Sequence, residues 1–170
     1  MTSSFDPAAL AGWRQTGIVA LLCLGVFAFK AGEGTLARYK FGLNVTESLP
    51  HWAFVTDRRD REVGRGDLVE FVAPDTPYYP AGQHFVKRVA GTAGDVIERR
   101  GDRVWVAGKD VGRVKPTDSL GRPAAPGPVG VIPAGSLFVV GDNPDSLDSR
   151  YALIGLIPAS RVVGQAEPIL

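Results

Sequence analysis

From Gly42 onward the chain is a series of short apolar runs cut by glycine or proline every few residues, a spacing that leaves little room for helices. Leu68–Val72, Phe85–Ala90, Asp95–Arg99, Arg103–Ala107 and Ser136–Val140 are rich in Val, Ile and Phe, which pack well on a pleated surface. Arg99-Arg100-Gly101-Asp102-Arg103 falls between two such runs and predicts a hairpin with a polar turn. Residues 116–133, with five prolines, predict a loop ordered only where it packs. With 21 Gly and 13 Pro beside a 45% hydrophobic content, the pattern predicts a mainly β, antiparallel domain over residues 41–170 in a partly open, barrel-like arrangement. A domain of that length can bury one core.

Upstream, residues 1–13 form a polar-to-small tail, and Gly17 to Phe29 is uncharged between Arg14 and Lys30. As a helix that run spans about 20 Å, and Gln15 to Gly32 with Lys30 reaching the interface spans about 27 Å, against a bilayer core of roughly 30 Å. Residues 14–32 therefore predict an N-terminal transmembrane helix, with a cleaved secretory signal ending near Val26-Phe27-Ala28 as the competing reading. Lys30, Arg38 and Lys40 follow the segment and only Arg14 precedes it, so the positive-inside tendency alone would leave the domain in the cytoplasm. The chemistry expected of Ser48 calls for the opposite side and overrules that tendency. Cys23 lies inside the apolar run, which leaves no disulfide framework, and two histidines are too few for a zinc centre. A net charge of +1, from 19 basic and 18 acidic residues, gives no footprint for nucleic acid.

Asn44-Val45-Thr46-Glu47-Ser48-Leu49-Pro50 lies between the apolar segment and the strand-like runs, and Ser48 is its candidate nucleophile. A serine hydroxyl needs a base to take its proton. Strand periodicity puts Lys87 on the same face as Phe85 and Val89, where burial would lower its pKa and let it accept a proton near neutrality. A bulge that shifts the parity would instead leave Lys87 as an exposed edge charge. His84 falls on the opposite face of that run, and His51, three residues from Ser48, is the rival base.

Four ordered segments carry a resemblance. They are Thr46-Glu47-Ser48-Leu49-Pro50; Gly66-Asp67-Leu68-Val69-Glu70-Phe71; Lys87-Arg88-Val89-Ala90-Gly91-Thr92-Ala93-Gly94-Asp95; and Gly141-Asp142-Asn143 with Ser146-Leu147-Asp148-Ser149-Arg150. In that order, after an apolar N-terminal segment, they resemble the type I signal peptidases, membrane-anchored serine endopeptidases with a serine–lysine dyad. Leu49 stands where the general enzymes usually have methionine, and the last motif is one residue short. The Asn-x-Thr-x-Ser-x-Pro form and the small size look closer to the conjugative-transfer branch, which matures pilin precursors.

The resemblance implies that Ser48 attacks the scissile carbonyl with Lys87 as general base and proton donor, without metal or cofactor. It further implies that the Ser48 N–H and the Thr46 hydroxyl hold the oxyanion and that Ser146 orients Lys87. Asp148 and Arg150 are positioned to form an ion pair bracing the site, with Asp142 and Asn143 closing the preceding turn. Substrates would be leader-bearing precursors, pilin among them, bound as an added strand near Val45, Phe71 and Val86. Trp52-Ala53-Phe54 would sit at the membrane surface or in the core. The expected setting is the bacterial inner membrane, with lipid around the anchor and a monomeric domain facing the periplasm. A general signal peptidase, and a non-catalytic membrane-tethered assembly module, remain the alternatives.

Overall fold

The computed structural model describes residues 21–27, 29–30, 32, 34–35, 37–44, 48–118 and 120–169. The chain divides into two units, the first ending at Arg38 and the second running from Tyr39 to Leu170. In the first, the described residues between 21 and 38 are helical, and Leu21, Leu22, Leu24, Val26, Phe27 and Phe29 expose their apolar side chains. Among the described residues no helix is long and apolar enough to cross a membrane.

The second unit is built from strands: β1 (Tyr39–Leu43), β2 (Ala53–Asp57), β3 (Leu68–Val72), β4 (His84–Gly91), β5 (Val96–Arg100), β6 (Arg103–Val106), β7 (Lys109–Arg113), β8 (Gly130–Val131), β9 (Ser136–Val140), β10 (Ile157–Pro158) and β11 (Val162–Pro168). All pair antiparallel. The expected partly open barrel takes the form of two open sheets, one ordered β1-β2-β11-β3-β4-β9-β10 and the other β7-β6-β5-β8. β9 joins their cores. Its run Leu137-Phe138-Val139-Val140 has no polar alternate because both faces are covered: Leu137 and Val139 enter one cluster with Val69, Phe71 and Val89, while Phe138 and Val140 enter another with Ile97, Val106 and Ile132.

Turn chemistry explains the small sheet. Arg100 pairs with Arg103 across Gly101-Asp102, and Gly101 has φ 64°, so the first central residue of a two-residue hairpin takes the left-handed conformation that a glycine adopts without penalty. Ala107-Gly108 joins β6 to β7 with φ positive at both residues. Without the Asn-Gly or Asp-Gly signature, that hairpin gives little warning in the sequence. The 116–133 segment packs at discrete points: Pro126 bridges to Tyr151, and a side chain on Gly127 would meet the Ser149 carbonyl at 2.2 Å. Ala53 and Phe54 belong to the buried interior, whereas Trp52 is 57% exposed.

Candidate active site

The register of β3 against β4 sets the position of Lys87. Val69 lies opposite Lys87 and Phe71 opposite Phe85, so the lysine stands on the core face of the sheet, as the unshifted parity predicts. Lys87 is 4% exposed, with its ammonium 5.6 Å from the centre of the Phe85 ring. The register shift in this strand comes later, between Val89 and Gly91, and does not move Lys87 off that face.

Burial is the main force on this amine. It pushes the Lys87 pKa down from 10.5 to about 8, assisted by the nearby Arg150 charge and opposed by Asp148 and Asp142. Lys87 Nζ donates to Ser146 Oγ at 2.7 Å, and Ser146 is itself buried. An uncharged amine held by one hydroxyl can accept a proton near neutrality.

Ser48 is half-buried in the turn after β1, and its backbone is fixed from two sides. Asn44 donates its side-chain amide to the carbonyls of Leu49 (3.2 Å) and His51 (2.9 Å) and its backbone N–H to Trp52, closing the loop that carries Ser48. From the other side, the N–H groups of Asp142 (2.8 Å) and Asn143 (3.2 Å) both donate to the Ser48 carbonyl. Ser48 and Lys87 line one cleft of about 290 Å³, together with Asn44, Phe54, Phe85, Val86 and Leu147.

The segment 141–150 is braced beneath the site. Asp148 is fully buried and accepts from the Gly141 N–H (2.9 Å), the Arg150 N–H (3.1 Å) and two guanidinium nitrogens (2.9 and 2.8 Å). Arg150, 2% exposed, also donates to the carbonyls of Arg113, Asn143 and Ser146. Burial lowers the Arg150 pKa and the contacts with Asp148 raise it by more, so the guanidinium keeps its charge. Asp142 forms a two-point ion pair with Arg88 at 3.0 and 2.9 Å, while Asn143 caps its own turn by accepting from the Asp145 N–H. Gly141 has no space for a side chain, because a Cβ would lie 2.1 Å from Ser146 Oγ and 3.0 Å from the Ser48 carbonyl.

Thr46 and Val45 lie outside the described residues. The His51 ring meets Phe54 edge-on, and His84 bonds to Glu70 at 2.7 Å. Of the residues expected to contact a substrate strand, Val86 lines the cleft, but Phe71 is fully buried. Glu70, which the sequence pattern does not assign to the site, lines the same cleft with Lys40 and His84. A carboxylate inside the apolar run Leu68-Val69-Glu70-Phe71-Val72 was the available signal.

Comparison with known proteins agrees with the ordered motifs. The sequence model of the family described as "Signal peptidase, peptidase S26" matches residues 13–170. The "Conjugal transfer protein TraF" of Agrobacterium fabrum is 30% identical over 173 residues, covering 92% of this chain and 93% of that protein. The "Signal peptidase I" of Bacillus amyloliquefaciens is 36% identical over 115 residues, covering 62% of this chain and 56% of its own length. Among solved structures, a signal peptidase I from Enterococcus faecalis aligns at 25% identity with a TM-score of 0.41, over 62% of this chain and 97% of that one.

Proposed function

The chain belongs to the signal peptidase family, and on that premise we propose that it is a membrane-bound serine endopeptidase that removes leader peptides from exported precursors through Ser48 and Lys87. The observation that carries this reading is the Lys87 amine, buried, bonded to Ser146 and facing a cleft that Ser48 also lines. In the proposed reaction Ser48 Oγ bonds to the scissile carbonyl carbon as its proton passes to Lys87 Nζ, giving a tetrahedral oxyanion. The Ser48 N–H and the Thr46 hydroxyl receive that charge. Lys87 then gives the proton to the departing amine as the C–N bond breaks, which leaves a Ser48 ester. Water, deprotonated by Lys87, hydrolyses the ester and restores both groups. Residues 14–32 would anchor the chain in the bacterial inner membrane with a monomeric domain facing the periplasm, a reading supported by the exposed apolar side chains of Leu21, Leu22, Leu24, Val26, Phe27 and Phe29.

Conjugative-transfer substrates of the pilin type are favoured because the TraF relative matches along almost its whole length. General processing of exported proteins is the second reading, supported by the higher identity to the Bacillus signal peptidase I. Purified wild type, Ser48→Ala and Lys87→Ala can be compared on a leader-bearing precursor in detergent. Loss of cleavage in both variants is expected; equal cleavage by all three overturns the endopeptidase reading. A panel of unrelated leader-bearing precursors separates the two substrate classes.

A further inference from the structure

The cleft that holds Ser48 and Lys87 also contains a charged cluster that the proposed chemistry does not use. Glu70 enters it from β3, Lys40 from the edge strand β1, and His84 from the start of β4. The Lys40 ammonium donates to Glu70 Oε1, the His84 ring nitrogen Nδ1 lies 2.7 Å from the same oxygen, and Lys40 Nζ lies 3.0 Å from His84 Nδ1. Burial raises the Glu70 pKa, but Lys40, Thr56 and His84 together bring it below the ordinary value, so Glu70 is the ionised floor of the cluster.

Exposure within the cluster is uneven, and that unevenness decides what an incoming chain meets. The Glu70 side chain is 6% exposed, whereas Lys40 and His84 are 37% and 39% exposed. Among the described residues lining the cleft, Glu70 is the sole carboxylate, and it is covered by its two basic partners. Solvent therefore sees the Lys40 ammonium and the edge of the His84 ring where a substrate side chain would enter. A cationic side chain could reach Glu70 only by displacing Lys40. An anionic one would add to the exposed ends without disturbing the buried pair.

We propose that Lys40 and His84, fixed from below by Glu70, form an anion-selecting subsite of the cleft that favours precursors with an aspartate or glutamate at one defined position near the scissile bond. The inference rests on the peptidase reading for its substrate, and it deepens that reading by naming a charge requirement.

The test uses synthetic ten-residue peptides, rich in alanine with a small residue before the cut, in which Asp, Asn or Lys is placed singly at each other position. For the full-length wild type we expect one position at which Asp exceeds Lys by at least tenfold in kcat/KM. Lys40→Gln should abolish the preference at that position and no other, and Glu70→Gln, which frees Lys40 for the ligand, should enlarge it several-fold. Binding of the same peptides to Ser48→Ala, followed by fluorescence anisotropy, supplies a readout independent of turnover. A position-specific binding preference without cleavage leaves the subsite standing and removes the peptidase. A charge preference that is the same at every position in cleavage by wild type and Lys40→Gln, or in binding to Ser48→Ala with and without Lys40→Gln, overturns the subsite.

Discussion

An amine that is 4% exposed and bonded to one hydroxyl has to be largely neutral to be useful, and the pKa of about 8 for Lys87 sets where that happens. Cleavage should rise with pH through an acid limb near 8 and flatten above it; a pH profile of kcat/KM that keeps rising toward 10.5 would contradict a desolvated base. The same shift bears on stability. The unfolded chain keeps its lysine proton up to about 10.5 while the folded chain releases it near 8, so between those values the unfolded state holds more protons and stability rises with pH. Below 8 the full penalty applies. Lys87→Met should therefore be more stable than wild type at pH 7, by up to roughly 3 kcal/mol, with the gain fading by about pH 10.5. Parallel urea titrations at several pH values measure it, and a gain independent of pH would remove the titration argument. Strand parity puts Phe85, Lys87 and Val89 on one face whether or not the lysine is catalytic, but parity leaves a bulge-shifted, exposed lysine open, and it is the register against β3 that decides for burial. Parity could not indicate Ser146, whose position depends on a turn closing 59 residues later.

Residues 141–150 act as a unit, since Asp148 holds Gly141 at one end and Arg150 at the other while Asp142 and Asn143 grip the Ser48 carbonyl. Asp148→Ala would strand a buried guanidinium and the Gly141 N–H together, so a loss of about 3–5 kcal/mol is expected in denaturant melts. Replacing both members, Asp148→Leu with Arg150→Met, should recover the part that comes from the orphaned charge, while the unpaired Gly141 N–H keeps the double variant below wild type. Gly141→Ala tests the site side of this segment: its methyl would push Ser146 Oγ away from Lys87, so kcat should fall about a hundredfold or more while far-ultraviolet circular dichroism stays unchanged. At this scale the strands with strong β-formers, β3 to β6 and β9, are legible from the sequence. The polar β7, with Gly112, and β11, interrupted by Gly164, are not. Gly164 has a reason that local sequence cannot show, because a Cβ there would lie 2.0 Å from the Asp57 carbonyl on the neighbouring strand.

The second unit carries its stability in three apolar clusters, two of which meet along β9 and at Leu147, which packs against both and also lines the cleft. A shared strand and a shared side chain make it costly for either sheet to open by itself, and opening would pull Leu147 away from the candidate site. Residues 39–170, produced alone, should therefore unfold in a single transition with coincident tryptophan-fluorescence and circular-dichroism curves, and should keep peptide cleavage within a fewfold of the full chain. Separate transitions would mean that the small sheet folds independently. The same fragment tests the anchor: without residues 1–38 it should no longer sediment with phospholipid vesicles that the full chain binds. If it still sediments, the exposed Phe41, Leu43 and Trp52 of the second unit supply the membrane contact, and the helical segment is not needed for it.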